Sequence, residues 1–361
     1  TFASLLDSAF RNNVEARMYS LAALFVLLVF LESYYILTRK NAASYILFTL
    51  FSLCAAYTHY YALISVAMIY AALLILVIAK KENIKRVLII YAATIIGYLP
   101  WLGKMFTTFE RTADSFWMTD YDGIYKSLSY IYYSVYPWFS LLLFILTATT
   151  VLWNIITDIK GEHHALSDFS IWCLIGLSAT LMTILAGQLI SVLIRPSYIT
   201  RYIYPISITL WLILGACIGR IKSAKIRISV FAVILLLTGL ICGPSALRTA
   251  LGDHSADKKN TETWDTMQTM IDKDDIIITD IDHMSWTLLD YYMPDNEHIF
   301  DDTHDIELSS EKKYWFLTND TADGTDMSWT KQYDLNADLK IDSGILGTTE
   351  IDLYELSPQA D

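Results

Sequence analysis

Up to residue 250 the chain carries one apolar run after another, and beyond that point none is long enough to cross a bilayer. A spanning helix needs about 20 mostly apolar residues to traverse roughly 30 Å of hydrocarbon. Runs at 17–37, 43–58, 61–79, 87–102, 138–157, 169–193, 202–219 and 228–247 fit that requirement. They predict an all-α polytopic membrane domain of about 8 spanning helices. Only Thr58-His59-Tyr60-Tyr61 separates the second run from the third, a spacing compatible with two helices or with one bent element. The 54% hydrophobic content of the 361 residues is too high for a soluble domain, and it is concentrated in these runs.

Charge divides the chain at the same place. Residues 250–361 hold 27 Asp and Glu against 7 Lys and Arg, whereas residues 1–249 hold 11 acidic against 19 basic side chains. The expected organisation is a basic membrane domain at 1–249 and an acidic α/β domain at 250–361. An acidic domain repels nucleic-acid phosphate, and the basic residues lie in short loops, so no nucleic-acid partner is expected. Cys54, Cys173, Cys217 and Cys242 all fall inside apolar runs, where a thiol acts as a small hydrophobe, and no disulfide or zinc framework follows. The chain begins Thr-Phe-Ala-Ser without an initiator Met or a signal pattern, from which a preceding segment is expected.

Cytoplasmic loops retain Lys and Arg. With the first span starting outside, the basic loops at Arg39-Lys40, at 80–86, around Lys160 and at 220–227 all fall on one side. This alternation predicts a multi-pass protein of the cytoplasmic membrane with an extracytoplasmic C-terminal domain. The outer connections are then the stretch before Met18, the corner at His59, a long loop from Gly103 to Pro137, and the run 195–201. The long loop is rich in Phe, Trp and Tyr, which suits interfacial helices beside a cleft and equally a plain interfacial anchor. In the C-terminal region, Trp264, Met267 and Met270 recur at helical spacing, 275–280 and 314–317 read as strands, and 285–292 as a helix. Its acidic loops lack calcium-loop spacing.

Polar clusters at the outer helix ends are the candidate site. Glu15 and Arg17 precede the first span; His59 and Tyr60 form the corner between the second and third; Arg195, Tyr198, Arg201 and Tyr202 surround a short re-entry. Helix-end charges snorkelling to water account for such clusters as well as a ligand does. Arginines on the outer side nevertheless run against the usual bias, and two guanidinium groups suit bidentate contact with phosphate. Glu32 is expected to pair with Arg39 along one helix, and Gln188 to approach the same cleft.

Taken in order, 13–19, 57–60 and 195–202 each open or close an apolar run, and together they resemble motifs of the GT-C membrane glycosyltransferases of the protein mannosyltransferase and aminoarabinose transferase type. The similarity runs from Thr1 to about Leu247. It implies a GT-C-like fold and an inverting transfer of a hexose-type sugar from a polyprenyl-phosphate carrier to a glycan, lipid or protein acceptor on the outer face. It also implies Arg17, Arg195 and Arg201 as carrier-phosphate contacts, with Glu15, His59, Tyr60, Tyr198 and Tyr202 lining the site. The family's acidic loop precedes the region where this chain starts, so the catalytic carboxylate is expected upstream of Thr1. Glu15, Asp114, Asp120 and Asp122 carry no motif that makes them substitutes. No cofactor is identifiable and no residue pattern supports a metal. Two other functions are weighed: a lipid-linked-glycan flippase or transporter, disfavoured by helix centres almost free of charge, and a non-catalytic carrier-lipid-binding protein.

Overall fold

The computed structural model describes residues 18–80, 84–111, 121–132, 136–161, 165–194, 196–251, 255–281, 283–300, 312–319, 327–346 and 349–358. The chain divides into two compact units, Thr1–Ala250 and Leu251–Asp361.

The first unit is helical. It contains α1 (Tyr19–Thr38), α2 (Ala42–Thr58), α3 (Tyr60–Ala79), α4 (Ile84–Arg111), α5 (Ile124–Ile131), α6 (Pro137–Lys160), α7 (Asp168–Leu193), a 3₁₀ turn (Thr200–Ile203), α8 (Tyr204–Gly219) and α9 (Ala224–Leu251). Among the described residues, 7 helices are long and apolar enough to cross a membrane, and α2, at 17 residues, is a shorter apolar one. The chain is thus a multi-pass membrane protein by the length and composition of its helices. A helix satisfies its own backbone groups, the condition that hydrocarbon imposes.

Local signals set the helix ends. The Asn41 side chain caps α2 by accepting the Ser44 N–H at 2.9 Å, and Ser167 caps α7 by accepting from Ser170 N at 3.2 Å. Proline stands in the first turn of α6 and of α8, where a missing N–H costs no hydrogen bond. The turn from α1 into α2 places Lys40 in the left-handed region, φ 51°, a C-terminal position that usually calls for glycine. The second and third apolar runs form separate helices, because His59 is extended at φ −159° and breaks the ladder between them. The helix that begins at Ile84 continues past Gly103 to Arg111, so the loop expected from Gly103 to Pro137 is shorter than the sequence implied. Within it, α5 is a short helix that buries Ser127, Ser129 and Ile131.

Packing radiates from α8, of whose segment 67% is buried, against 17% for α4 and for α9. Phe30 of α1 stacks on Trp172 of α7 at 4.4 Å, and the Trp172 indole donates to the Phe30 carbonyl at 2.8 Å. The Trp211 indole of α8 donates to the Ile131 carbonyl at 2.7 Å, and the Tyr132 hydroxyl donates to Leu210 at 2.9 Å. These indole and hydroxyl groups of Trp172, Trp211 and Tyr132 each have a partner, as an apolar surround demands. Arg39 lies over the Tyr35 ring at 4.2 Å, and its charge also acts on Glu32, with no ion pair between the two among the described residues. At the basic end Lys80 pairs with Asp168 at 3.0 Å, and Arg220 covers Phe169 at 4.4 Å, so the basic termini of α3 and α8 meet the start of α7.

The second unit contains α10 (Ser255–Met270), β1 (Ile276–Thr279), α11 (His283–Tyr292), β2 (Glu297–Phe300), β3 (Tyr314–Thr318), a 3₁₀ turn (Ser328–Tyr333), β4 (Leu335–Leu346) and β5 (Thr349–Pro358). The strands form one sheet in the order β2-β1-β3-β5-β4, parallel between β1 and both its neighbours and antiparallel thereafter. Every residue of β1 and β3 is buried, as expected of strands covered on both faces. Ile277, Trp315 and Leu317 face a core with Trp264 and Met267 of α10. Ile276, Ile278, Tyr314 and Phe316 face the other, against Trp329. The buried Asp275 carboxylate accepts the Trp315 indole N–H at 2.8 Å. The acidic stretches at 301–305 and 320–326 lie outside the described residues.

Candidate functional site

At the end of the first unit opposite the basic termini, three chain segments converge through their rings. Tyr19 opens α1, His59 and Tyr61 form the α2–α3 corner, and Arg201 and Tyr202 lie in the 3₁₀ turn that leads into α8. His59 sits 5.3 Å from both the Tyr19 and the Tyr202 ring centroids, and Tyr61 stacks on Tyr202 at 4.8 Å. The Arg201 guanidinium carbon lies 6.0 Å from the Tyr19 and from the Tyr202 centroids, within reach of both π faces.

His59 has a structural task as well. Its Nδ1 accepts the Tyr61 N–H at 3.1 Å and so caps α3, which leaves the proton of the neutral ring on Nε2. Burial and the adjacent Arg201 charge hold its pKa down at about 4. The ring is therefore neutral at physiological pH and presents one N–H donor. Capping also fixes the phase of α3: Tyr61 turns into the cluster, whereas Tyr60 is 41% exposed and takes no part in it among the described residues.

The 196–203 segment is held from behind. Asp122 accepts the Thr200 N–H at 2.8 Å and Lys126 Nζ at 3.1 Å, and its own N–H donates to the Tyr198 carbonyl at 3.1 Å. Burial raises the Asp122 pKa, but the Thr200 N–H and Lys126 outweigh it and the carboxyl titrates below its usual range. Gln188, which the sequence places near the cleft, donates instead to the Asp122 carbonyl at 2.5 Å. Tyr61 donates to the Ser197 carbonyl at 3.3 Å. Tyr198 is wholly buried, and its hydroxyl bonds Ser127 Oγ at 2.8 Å, so it supports the segment from within. Gly187 makes room for it: a Cβ there would meet Tyr198 Cδ2 at 2.5 Å.

The structure therefore brings together His59, Arg201 and Tyr202 from the sequence-derived candidates and adds Tyr19 and Tyr61. It turns Tyr60 outward and Tyr198 inward, while Glu15, Arg17 and Arg195 lie outside the described residues. Tyr19 and Tyr61 stand next to polar motifs in the sequence, but only helix phase decides which tyrosine of the corner faces in. Asp122 carries no motif, since its role depends on a contact between segments far apart in the chain.

Chemically, the decisive group is Arg201. Its Nε is buried and has no hydrogen-bond partner among the described residues, although an unpaired buried donor costs about 1–3 kcal/mol. Asp122, which braces the same 3₁₀ turn, directs its carboxylate to Thr200 and Lys126. Among the described residues no group of three or more His, Cys, Asp or Glu is arranged to hold a metal ion. Compared with known proteins, the chain matches no family model, no curated protein and no solved structure.

Proposed function

We propose that this chain is a membrane glycosyltransferase that takes its sugar from a polyprenyl-phosphate carrier at the extracytoplasmic face of the cytoplasmic membrane. What supports the reading is Arg201, whose buried Nε has no hydrogen-bond partner among the described residues and whose guanidinium lies beside the Tyr19 and Tyr202 rings at the helix ends, where a lipid-borne phosphate would lie. A cation whose donor lacks a partner binds an incoming anion without first breaking a bond. The flat faces of Tyr19, Tyr61 and Tyr202 suit a sugar ring or the first isoprene units. The Lys and Arg bias supports an orientation with the Lys80 and Arg220 end in the cytoplasm and the cluster outside.

In such a transfer an acceptor oxygen or nitrogen attacks the anomeric carbon and the bond to the carrier oxygen breaks. The polyprenyl phosphate leaves with the electron pair, and the acceptor proton passes to a base. Arg201 stabilises charge growing on the leaving phosphate, and His59, neutral at pH 7, donates a hydrogen bond without competing for the anion. The GT-C resemblance of the motifs around Tyr19, His59 and Arg201 points to the same chemistry.

A second reading, a carrier-lipid-binding protein without transfer chemistry, draws support from Asp122, whose carboxylate oxygens are engaged by Thr200 and Lys126. A transfer assay in membranes, with a polyprenyl-phosphate-linked sugar and the full-length protein, separates the two. Transfer that Arg201→Ala lowers at least about 100-fold, the scale of losing paired charge-assisted bonds, supports the enzyme. Donor binding without transfer supports the second reading, and the absence of both refutes the proposal.

A further inference from the structure

A groove of about 690 Å³ lies between α2 and α4, at the end of the helices opposite the His59 cluster. Its shape follows from one close contact. At Gly97 of α4 the backbone approaches Leu53 of α2 so nearly that an added Cβ would meet Leu53 Cδ1 at 2.8 Å, and there the Tyr57 hydroxyl donates to the Gly97 carbonyl at 2.7 Å. From this pinch towards their N-termini the helices leave a cleft walled by Tyr45, Thr49, Ile89 and Ala93, with Lys40 and Arg86 at its mouth.

Length and charge identify the occupant. At 1.5 Å per residue, α2 from Ala42 to Leu53 rises about 17 Å, roughly the hydrocarbon depth of one leaflet. The walls are apolar where acyl chains lie, and the two cations stand where a headgroup phosphate would be. Lys40 stands in the turn into α2 at φ 51°, a conformation that glycine adopts without strain.

We propose that this groove is a binding site for an anionic glycerophospholipid, one acyl chain lying between α2 and α4 and the phosphate held by Lys40 and Arg86. The site is separate from the Arg201 cluster and does not depend on its function.

Native mass spectrometry of the full-length protein in neutral detergent, with phosphatidylglycerol or phosphatidylcholine added, tests it. Phosphatidylglycerol is expected to be retained in preference to phosphatidylcholine. The Lys40→Gly, Arg86→Gln double variant, whose glycine suits the left-handed turn and preserves the fold, is expected to bind phosphatidylglycerol about thirtyfold more weakly. Ala93→Phe, which fills the cleft, is expected to displace both lipids, and Arg201→Ala to leave retention unchanged. Equal retention of the two lipids, wild-type retention in the double variant and in Ala93→Phe, or loss caused by Arg201→Ala would overturn the proposal, as would a protein dimer sealing α2 against α4 without lipid.

Discussion

The Asp122 carboxylate accepts the backbone N–H of Thr200 at 2.8 Å and thereby fixes the turn that presents Arg201. The same carboxylate holds Lys126 at 3.1 Å on the opposite side. Two segments 78 residues apart in sequence are thus joined through a single side chain.

This brace makes stability depend on acid. Because the Asp122 pKa is lower in the folded protein than its ordinary 3.8, its contribution is complete above about pH 5 and fades as pH falls through the lowered value. Asp122→Ala is expected to cost about 2 kcal/mol, the worth of a hydrogen bond to a charged group, and to remove this dependence below pH 4. Thermal unfolding in detergent at stepped pH checks both, and an unchanged acid profile would count against the brace.

His59 acts in the neighbouring window and with the same sign by a different route. Its folded pKa of about 4 lies below the ordinary 6.5, so between those values the unfolded chain binds the extra proton and acid favours unfolding. Stability is expected to fall as pH drops from about 6.5 towards 4, and His59→Gln, which cannot be protonated, should flatten that slope. Unfolding midpoints of the two proteins over this range decide the matter.

Gly187→Ala tests whether packing behind the site controls it. The new methyl would meet the Tyr198 ring at 2.5 Å, and the ring is fixed by its bond to Ser127, so the 196–203 segment must shift. Overpacking of this kind costs about 1–3 kcal/mol. The expected result is a lower unfolding temperature together with weaker anion binding at Arg201, a distant effect that a purely local strain would not produce.

The membrane helices were legible because hydrocarbon leaves one solution for a long apolar run, and even α2, at 17 residues, follows its pattern from Asn41 to His59. The site was legible by segment but not by side chain. Tyr60 and Tyr61 are interchangeable in composition, and only the His59 cap, which sets the phase of α3, turns Tyr61 inward. Arg201 stood out as an outer arginine, yet its dependence on Asp122 arises from a long-range contact that no local pattern encodes. In the C-terminal unit β1 and β3 stood out as buried apolar runs. The β4–β5 hairpin did not, because Asp338, Lys340 and Asp342 give it a polar face and a left-handed Ser343, φ 52°, interrupts its alternation.

The role proposed for Arg201 is to receive the phosphate of a lipid carrier. Equilibrium binding of a short-chain polyprenyl phosphate and of the matching polyprenol, to the full-length protein and to Arg201→Ala and Arg201→Lys, tests it most directly. The phosphate form is expected to bind and the alcohol not, Arg201→Ala to weaken binding about 100-fold, and Arg201→Lys to restore part of it. Equal affinity for phosphate and alcohol, or an Arg201→Ala protein that binds like the wild type, would contradict it.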